Sequence, residues 1–140
     1  MAQRVRDIMS DDLVTVEPQA AVAAVARLMR DQDVGAVLVT EDGRLPGLVS
    51  DRDLVVCAFA EGTDPERTTV ARACRGDLIT ITADDSLDQA VGLMREHTVR
   101  RLPVVDDADQ PIGIASLGDL AIERDENSAL GDISAARPNM

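Results

Sequence analysis

The sequence predicts an α+β fold made of two β-α-β-β-α repeats that pack together about a pseudo-two-fold axis. The chain matches itself when it is displaced by 65 residues, and both copies show the same order of apolar patterns. The composition fixes the kind of core: 45% of the 140 residues are hydrophobic, but there is one Phe and no Trp or Tyr. The core is therefore aliphatic. A repeat of roughly 55 residues buries little surface alone, which favours packing of the two copies against each other.

The alignment of the two copies contains one small irregularity. After one residue is added in the second copy, the displacement becomes 66 and Asp53-Leu54 aligns with Asp119-Leu120. Turns tolerate such insertions better than helices or strands, so we expect the extra residue in a turn. We place repeat 1 at residues 1–62, repeat 2 at residues 63–125 and a flexible C-terminal tail at residues 126–140.

Each repeat is predicted to contain a short first element, a brief strand, a helix of about four turns, two strands joined by a turn, and a second helix. The elements of repeat 1 are Val5–Met9, strand Leu13–Val16, a helix with inward Val22, Val25, Ala26 and Met29, strands Ala36–Thr40 and Leu48–Ser50, and a helix from Asp51. The elements of repeat 2 are Val70–Cys74, strand Leu78–Thr82, a helix capped by Ser86 with inward Leu87, Ala90, Val91 and Met94, strands Leu102–Asp106 and Ile112–Ser116, and a helix from Leu117.

Charge and composition exclude several classes of function. The formal net charge is −12, so nucleic-acid phosphates repel the chain. All 14 basic residues are Arg, which excludes chemistry that depends on Lys. No apolar run approaches the roughly 18 residues of a membrane span, and the N-terminus lacks an apolar signal core. We therefore expect a cytoplasmic protein that binds neither nucleic acid nor membranes.

The most specific local motif is a strand that ends in Ser, with Asp three residues later as a helix begins. It occurs twice, in Gly47–Leu54 and in Gly113–Leu120. On its own, this pattern is a capping box that stabilises a helix start. In a binding site, the helix N-terminus would attract a phosphate, and the carboxylate would accept hydrogen bonds from ribose hydroxyls. The motif alone leaves both interpretations open.

Together with the duplication, these motifs resemble a tandem pair of CBS domains, also called a Bateman module. The resemblance covers Val5–Arg124 and includes the start Val5–Met9 and the stretch Val99–Asp106. It implies clefts between the repeats that bind adenosine-containing ligands (AMP, ADP, ATP or S-adenosylmethionine), and a homodimer. Within the family, the chain is similar to standalone two-CBS proteins, including the hypoxic-response type, which implies a role in a stress response.

The resemblance also implies which residues bind the ligand: Asp53 and Asp119 for ribose, Ser50 and Ser116 for phosphate, and Arg100 and Arg101 for phosphate. Repeat 1 has Gly35-Ala36 where repeat 2 has the two arginines. The two clefts are therefore expected to be unequal. The other interpretation of these arginines is a solvated ion pair with surface acids.

We predict a non-enzymatic regulatory module that binds an adenine nucleotide and signals through its dimer, or through a partner protein that the sequence does not identify. No cofactor or metal site is expected: His97 is predicted at the surface, and Cys57 and Cys74 as small buried hydrophobes. The dimer is expected to bury the apolar faces of the longer helices. The alternative is a ligand-independent dimeric interaction or structural protein, in which both Ser-x-x-Asp motifs are only helix caps.

Overall fold

The computed structural model describes residues 4–74 and 78–124, which form two compact units. The first unit holds residues 13–74 and 78, and the second holds residues 4–12 together with 79–124. Each unit contains one three-stranded sheet with helices, so the predicted α+β class is confirmed. No helix within these residues is both long enough and apolar enough to span a membrane. The tail at residues 126–140 lies outside the described residues.

The first unit has strand order β1-β2-β3, with β1 parallel and β3 antiparallel to β2. Its elements are β1 (Thr15–Val16), α1 (Val22–Gln32), β2 (Ala36–Glu41), β3 (Arg44–Ser50), α2 (Asp51–Val55) with a following π-helical turn (Val56–Ala60), and α3 (Val70–Ala73). The β2–β3 hairpin closes through Asp42 and Gly43, whose φ angles are 53° and 77°. Positive φ at both central residues is typical of a type I′ turn, one of the two favoured two-residue hairpin turns.

The second unit repeats this topology in the order β4-β5-β6. Its elements are a 3₁₀ turn (Val5–Asp7), β4 (Ile81–Thr82), α4 (Leu87–His97), β5 (Arg101–Val105), β6 (Pro111–Ser116) and α5 (Leu117–Arg124). Its hairpin turn is longer, and Asp106 Oδ1 accepts hydrogen bonds from the N–H groups of Ala108 and Gln110, both at 2.9 Å. The extra residue of repeat 2 therefore lies in a turn, as predicted. The first strand of each repeat is shorter than predicted, since β1 and β4 each pair through only two residues.

The apolar faces of α1 and α4 belong to the cores of their own units. The predicted inward positions are buried except at Val91, which is half-buried, and at Ala26, which is exposed. On α1, Val25 and Met29 pack against the sheet residues Val37 and Val49. The expectation that these faces form the dimer interface is therefore wrong, because the sheet of each unit already covers them.

The two long helices begin differently. Ser86 caps α4 as predicted: its Oγ accepts from the Gln89 N–H at 3.1 Å, and Gln89 Oε1 accepts from the Ser86 N–H at 2.7 Å. At the start of α1, the N-cap is Ala21, which provides no side-chain acceptor. The first two N–H groups of α1 donate instead to the carbonyls of Thr68 and Pro65, both at 2.9 Å.

The compact units differ from the sequence repeats in one respect, because each repeat's first segment packs with the other repeat's sheet. Val5 is fully buried in the core of the second unit, where its N–H donates to the Asp85 carbonyl at 2.9 Å. Val70 is fully buried in the core of the first unit, where its N–H donates to the Ala20 carbonyl at 2.7 Å. The repeat boundary between residues 62 and 63 stays a prediction from the sequence.

Candidate functional site

The first Ser-x-x-Asp motif forms a closed capping box where β3 meets α2. Ser50 Oγ accepts from the Asp53 N–H at 3.2 Å, and Asp53 Oδ2 accepts from the Ser50 N–H at 2.8 Å. The Ser50 hydroxyl also donates to Asp53 Oδ2 at 2.9 Å. Both side chains are half-buried. The carboxylate is thus held in one orientation by groups within four residues of chain.

The second motif forms the same box where β6 meets α5, with fewer bonds. Ser116 Oγ accepts from the Asp119 N–H at 3.1 Å, and Asp119 Oδ2 accepts from the Ser116 N–H at 3.1 Å. Within the described residues, no hydrogen bond reaches the other carboxylate oxygen, Oδ1 of Asp119. The capping interpretation is confirmed at both motifs. It does not exclude binding, since at Asp119 the cap uses one oxygen and leaves the second as an acceptor.

At the second junction, the start of the neighbouring strand β5 carries the two predicted arginines. The Leu117 N–H donates to the Arg100 carbonyl at 2.8 Å, and Arg101 is paired in register with Ser116. Arg100 is exposed and Arg101 is half-buried. Neither guanidinium makes an ion pair with an acid of the described residues, so the ion-pair interpretation finds no support there. Asp119, Ser116 and the two arginines thus belong to one junction.

The corresponding place in the first unit has the same backbone pairing and no arginine at the start of the strand, although Arg52 lies on the first turn of α2. The Asp51 N–H donates to the Gly35 carbonyl at 3.0 Å, and Ala36 is paired in register with Ser50. Gly35 and Ala36 therefore occupy the positions of Arg100 and Arg101. The two arginines and the Gly-Ala pair, which the alignment of the repeats matched, thus lie at equivalent positions of the fold.

Sequence reasoning missed the residues from other parts of the chain that lie close to the glycine of each motif. A Cβ on Gly113 would lie 2.8 Å from the Ser10 carbonyl oxygen and 2.9 Å from Met9 Sδ. A Cβ on Gly47 would lie 3.0 Å from Cys74 Sγ. The available signal was the glycine itself, because Gly inside a strand often marks the close approach of another backbone. Met9 and Cys74 thus lie against β6 and β3, the strands that lead into the two junctions.

Cys74 departs from the prediction of a buried thiol, because it is half-buried. Burial raises the pKa of the Cys74 thiol, and the negative charge of Asp53 raises it further. The thiol therefore stays protonated at neutral pH. Cys74 is partly buried because its side chain lies close to Gly47 at the first junction.

The other candidate ligands for a metal, His97 and Cys57, belong to different units. His97 is exposed at the end of α4, as predicted, with Nε2 4.0 Å from a carboxylate oxygen of Glu96. Cys57 is buried in the core of the first unit, also as predicted. Within residues 4–74 and 78–124, no three side chains of His, Cys, Asp or Glu are grouped so that they could hold a metal ion.

The fold and the junctions define a class: a duplicated α+β module in which each copy carries a Ser/Asp-capped junction between a strand and a helix. The chain belongs to the CBS-domain family, whose model matches residues 5–58 and 70–126. It is 37% identical over 127 residues to the CBS domain-containing protein YhcV of Bacillus subtilis, covering 91% of this chain and 89% of that protein. It is 32% identical over 131 residues to hypoxic response protein 1 of Mycobacterium tuberculosis, covering 93% and 91%.

Solved structures show the same fold. Hypoxic Response Protein I with two coordinated zinc ions superposes with a TM-score of 0.76 at 33% identity, covering 88% of this chain and 99% of that one. The cytosolic domain of the Mg²⁺ channel MgtE in complex with ATP superposes with a TM-score of 0.72 at 28% identity, covering 84% and 47%. The CBS domain pair of protein MJ0100, in complex with 5′-methylthioadenosine and S-adenosyl-L-methionine, gives a TM-score of 0.80 at 21% identity, covering 89% and 98%. At that identity, the last likeness shows the fold alone.

Proposed function

We propose that this protein is a non-enzymatic regulatory module of the cytoplasm that binds adenosine-containing nucleotides at its Ser/Asp junctions and acts as a homodimer. The proposal includes a role in a stress response, in line with the similarity to hypoxic response protein 1. Signalling requires that the ligand bind two states of the dimer, or of its complex with a partner, with different affinities.

The observation that carries the proposal is the second junction. One half-buried carboxylate, Asp119, is fixed by its cap through Oδ2 and has no hydrogen bond to Oδ1 within the described residues. Two arginines that make no ion pair with a described acid, Arg100 and Arg101, belong to the same junction. A fixed carboxylate suits the two hydroxyls of a ribose, and free guanidinium groups suit a phosphate. The ATP complex of the similar MgtE domain supports this class of ligand.

The charge difference supports a preference between the junctions. Arg100 and Arg101 favour an anionic nucleotide in the second unit, whereas Gly35 and Ala36 offer a phosphate only backbone groups in the first. We therefore expect Asp119 to contribute more than Asp53 to the binding of AMP.

Calorimetric titration of AMP into the wild-type protein and into Asp53→Asn and Asp119→Asn tests the proposal. Asn keeps an oxygen that can accept the capping bonds, so the helix starts should survive. A ribose held by the carboxylate would lose charge-assisted hydrogen bonds worth about 1.5–3 kcal/mol each. We expect AMP to bind Asp119→Asn at least about tenfold more weakly. Arg101→Ala should weaken AMP binding more than adenosine binding, because only AMP carries a phosphate.

A matched control separates capping from binding. Ser86→Ala removes a cap of the same kind at the start of α4, a helix that contains neither Ser-x-x-Asp motif. It should cost about 1 kcal/mol of folding stability and leave the affinity for AMP unchanged. If the wild-type protein binds none of AMP, ATP or S-adenosylmethionine at millimolar concentration, or if both Asn variants bind as the wild type does, the proposed sites are wrong. Only the first of these results would favour the alternative of a ligand-independent interaction protein, because the second still shows a bound ligand.

A further inference from the structure

The helix that follows the first junction changes its hydrogen-bond register after one turn. Val56–Ala60 form a π-helical turn, at whose end the Glu61 N–H donates to the Val56 carbonyl, five residues earlier. This bond is 3.3 Å long, whereas backbone hydrogen bonds are usually about 2.9–3.0 Å. At the start of the turn, the Val56 N–H is shared between the carbonyls of Arg52 and Asp53. Such turns are rare within helices and are frequent at functional positions.

The π-helical turn belongs to repeat 1 and is not required by the fold of a repeat. Its counterpart in repeat 2 is α5, which is α-helical over Leu117–Arg124, and the alignment of the repeats matches these residues with Asp51–Ala58. The residues of the turn include neither Gly nor Pro, the two residue types that disfavour an α-helix most. The local sequence is thus compatible with an α-helix, so a contact from outside the turn selects the wider register.

The hydroxyl of Thr63 provides that contact. Thr63 Oγ1 donates to the Cys57 carbonyl at 2.7 Å. In an α-helix, this carbonyl would accept from the N–H four residues later, which belongs to Glu61. Gly62 turns the chain back towards the helix, since its φ of 68° lies in the left-handed region that favours glycine. The hydroxyl therefore takes the place of the Glu61 N–H, which is left with the longer bond to Val56.

The residues after Thr63 form a linker that leads to the start of α1. The Asp64 carbonyl accepts from the Thr68 N–H at 2.9 Å and from the Thr68 hydroxyl at 2.8 Å, so the linker is closed into a turn. The carbonyls of Pro65 and Thr68 accept from the first two N–H groups of α1, whose N-cap has no side-chain acceptor. A movement of the linker would therefore reach the start of α1 through these bonds.

We infer that Val56–Ala60 is a conformational switch controlled by Thr63: the hydroxyl holds the π register, and its release lets the turn become α-helical and shifts the linker relative to α1. In the α register, the Glu61 N–H bonds to the Cys57 carbonyl, a step of one helical position, which is a rise of about 1.5 Å and a rotation of about 100°. Since α2 begins at the cap of Asp53, the switch connects the first junction to the linker between the repeats. The inference does not rest on nucleotide binding.

Amide hydrogen exchange, followed by NMR, tests the switch in the full chain with Thr63→Val, which keeps the shape of the side chain and removes the hydroxyl. We expect the Glu61 amide to exchange about tenfold more slowly, because it gains a shorter bond to the released Cys57 carbonyl. The Ala23 amide should exchange faster, because the linker carbonyl to which it donates has moved. Thr63→Ser is the matched control: it keeps the hydroxyl, so both amides should exchange as in the wild type.

The directions of these changes distinguish a switch from a structural contact. If the hydroxyl only stabilised the segment, its loss would make both amides exchange faster. That result, unchanged exchange in Thr63→Val, or a Thr63→Ser protein that behaves like Thr63→Val would overturn the inference. Circular dichroism shows whether each variant is folded, and AMP titration of the folded variants examines the proposed binding sites separately.

Deletion of Ala60 is a second test, which applies even if Thr63→Val does not fold. It removes one residue from the π-helical turn, so the Glu61 N–H lies four residues from the Val56 carbonyl and completes an α-helical turn. We expect Tm to fall by less than about 5 °C. Deletion of Ala24 in α1 is the matched control: it rotates Val22 away from the other buried residues of that helix and should lower Tm by more than about 10 °C. An Ala60 deletion as destabilising as the Ala24 deletion would overturn the inference.

Discussion

Replacing Gly113 by Ala tests whether the N-terminal segment passes too close to β6 to leave room for a side chain. The added methyl group would lie 2.8 Å from the Ser10 carbonyl oxygen and 2.9 Å from Met9 Sδ. Ser10 cannot move away freely, because it exchanges two backbone hydrogen bonds with Ile114, both at 2.9 Å. The variant can therefore accommodate the methyl group only if this segment separates from the strand.

The expected cost follows from these contacts. Overpacking costs about 1–3 kcal/mol, and weakening the two Ser10–Ile114 bonds adds up to about 1 kcal/mol each. The lower entropy of the unfolded chain with Ala offsets about 0.4–1 kcal/mol. We expect Gly113→Ala to lower the free energy of unfolding by about 2–4 kcal/mol. For a chain of this size, that corresponds to a decrease in Tm of roughly 10 °C.

Gly47→Ala provides the comparison within the same chain. Its methyl group would lie 3.0 Å from Cys74 Sγ and 3.4 Å from Cys74 Cβ, so it meets a side chain and no backbone. We expect a cost of about 1 kcal/mol, at the lower end of overpacking. Cys74→Ala should remove most of this cost in the double variant, because only an ordinary contact with Cβ remains. Met9→Ala should not rescue Gly113→Ala, because the Ser10 carbonyl stays in place.

Calorimetry or circular dichroism should follow unfolding, since the chain lacks Trp and Tyr. The four single variants and two double variants give two coupling energies, which separate the pairwise effects from the cost of each substitution. A Gly113→Ala protein as stable as the wild type would contradict the close approach of the N-terminal segment. Rescue of Gly113→Ala by Met9→Ala would show that the thioether, and not the backbone, is the obstacle.

Two further predictions concern stability. Ala21→Ser should raise the free energy of unfolding by about 0.5–1 kcal/mol, measured by urea denaturation. Ser at this extended N-cap position can accept a hydrogen bond from the Ala24 N–H. The N–H groups of Val22 and Ala23 already donate to loop carbonyls, so the new hydroxyl is not needed there. An unchanged midpoint would show that the Ala24 N–H has another acceptor. Since the pKa of the Cys74 thiol is raised in the folded protein, the unfolded chain loses its proton first, and stability should fall as the pH rises above about 8.5. The chain has no Lys or Tyr, so thiols dominate side-chain titration in this range. Cys74→Ala should remove most of the fall between pH 8 and 10 in the same assay; an equal fall in both proteins would assign it to other groups.

The candidate site divides into a part that was readable from the sequence and a part that was not. The caps at Ser50 and Ser116 were predictable because all their hydrogen bonds lie within four residues of chain. The alignment of the two repeats matched Arg100 and Arg101 with Gly35 and Ala36, but it did not show which cleft receives the two arginine side chains. The neighbours Met9 and Cys74 were not predictable, because they reach the junctions from distant parts of the chain.

The helix surfaces show the same division. Periodicity identified Val25 and Met29 as apolar positions of one face, and the structure confirms that they are buried. Periodicity could not tell whether that face meets its own sheet or a second molecule. The run from Leu54 to Phe59 is apolar on all sides, so only the tertiary structure distinguishes the buried Cys57 from the exposed Phe59.

The sequence by itself determined the duplication, the order of elements and the turn that holds the extra residue, because these depend on local pattern and on comparison of the chain with itself. Only the tertiary structure decided which sheet each repeat's first segment joins. Val5 and Val70 begin segments of similar pattern and are both fully buried, so the pattern alone does not assign either segment to one core. Backbone pairing between distant residues accompanies the assignment of each segment to its core: Ser10 pairs with Ile114, and Ala21 pairs with Thr69. Pairings between residues so far apart in sequence leave no periodic trace in either segment.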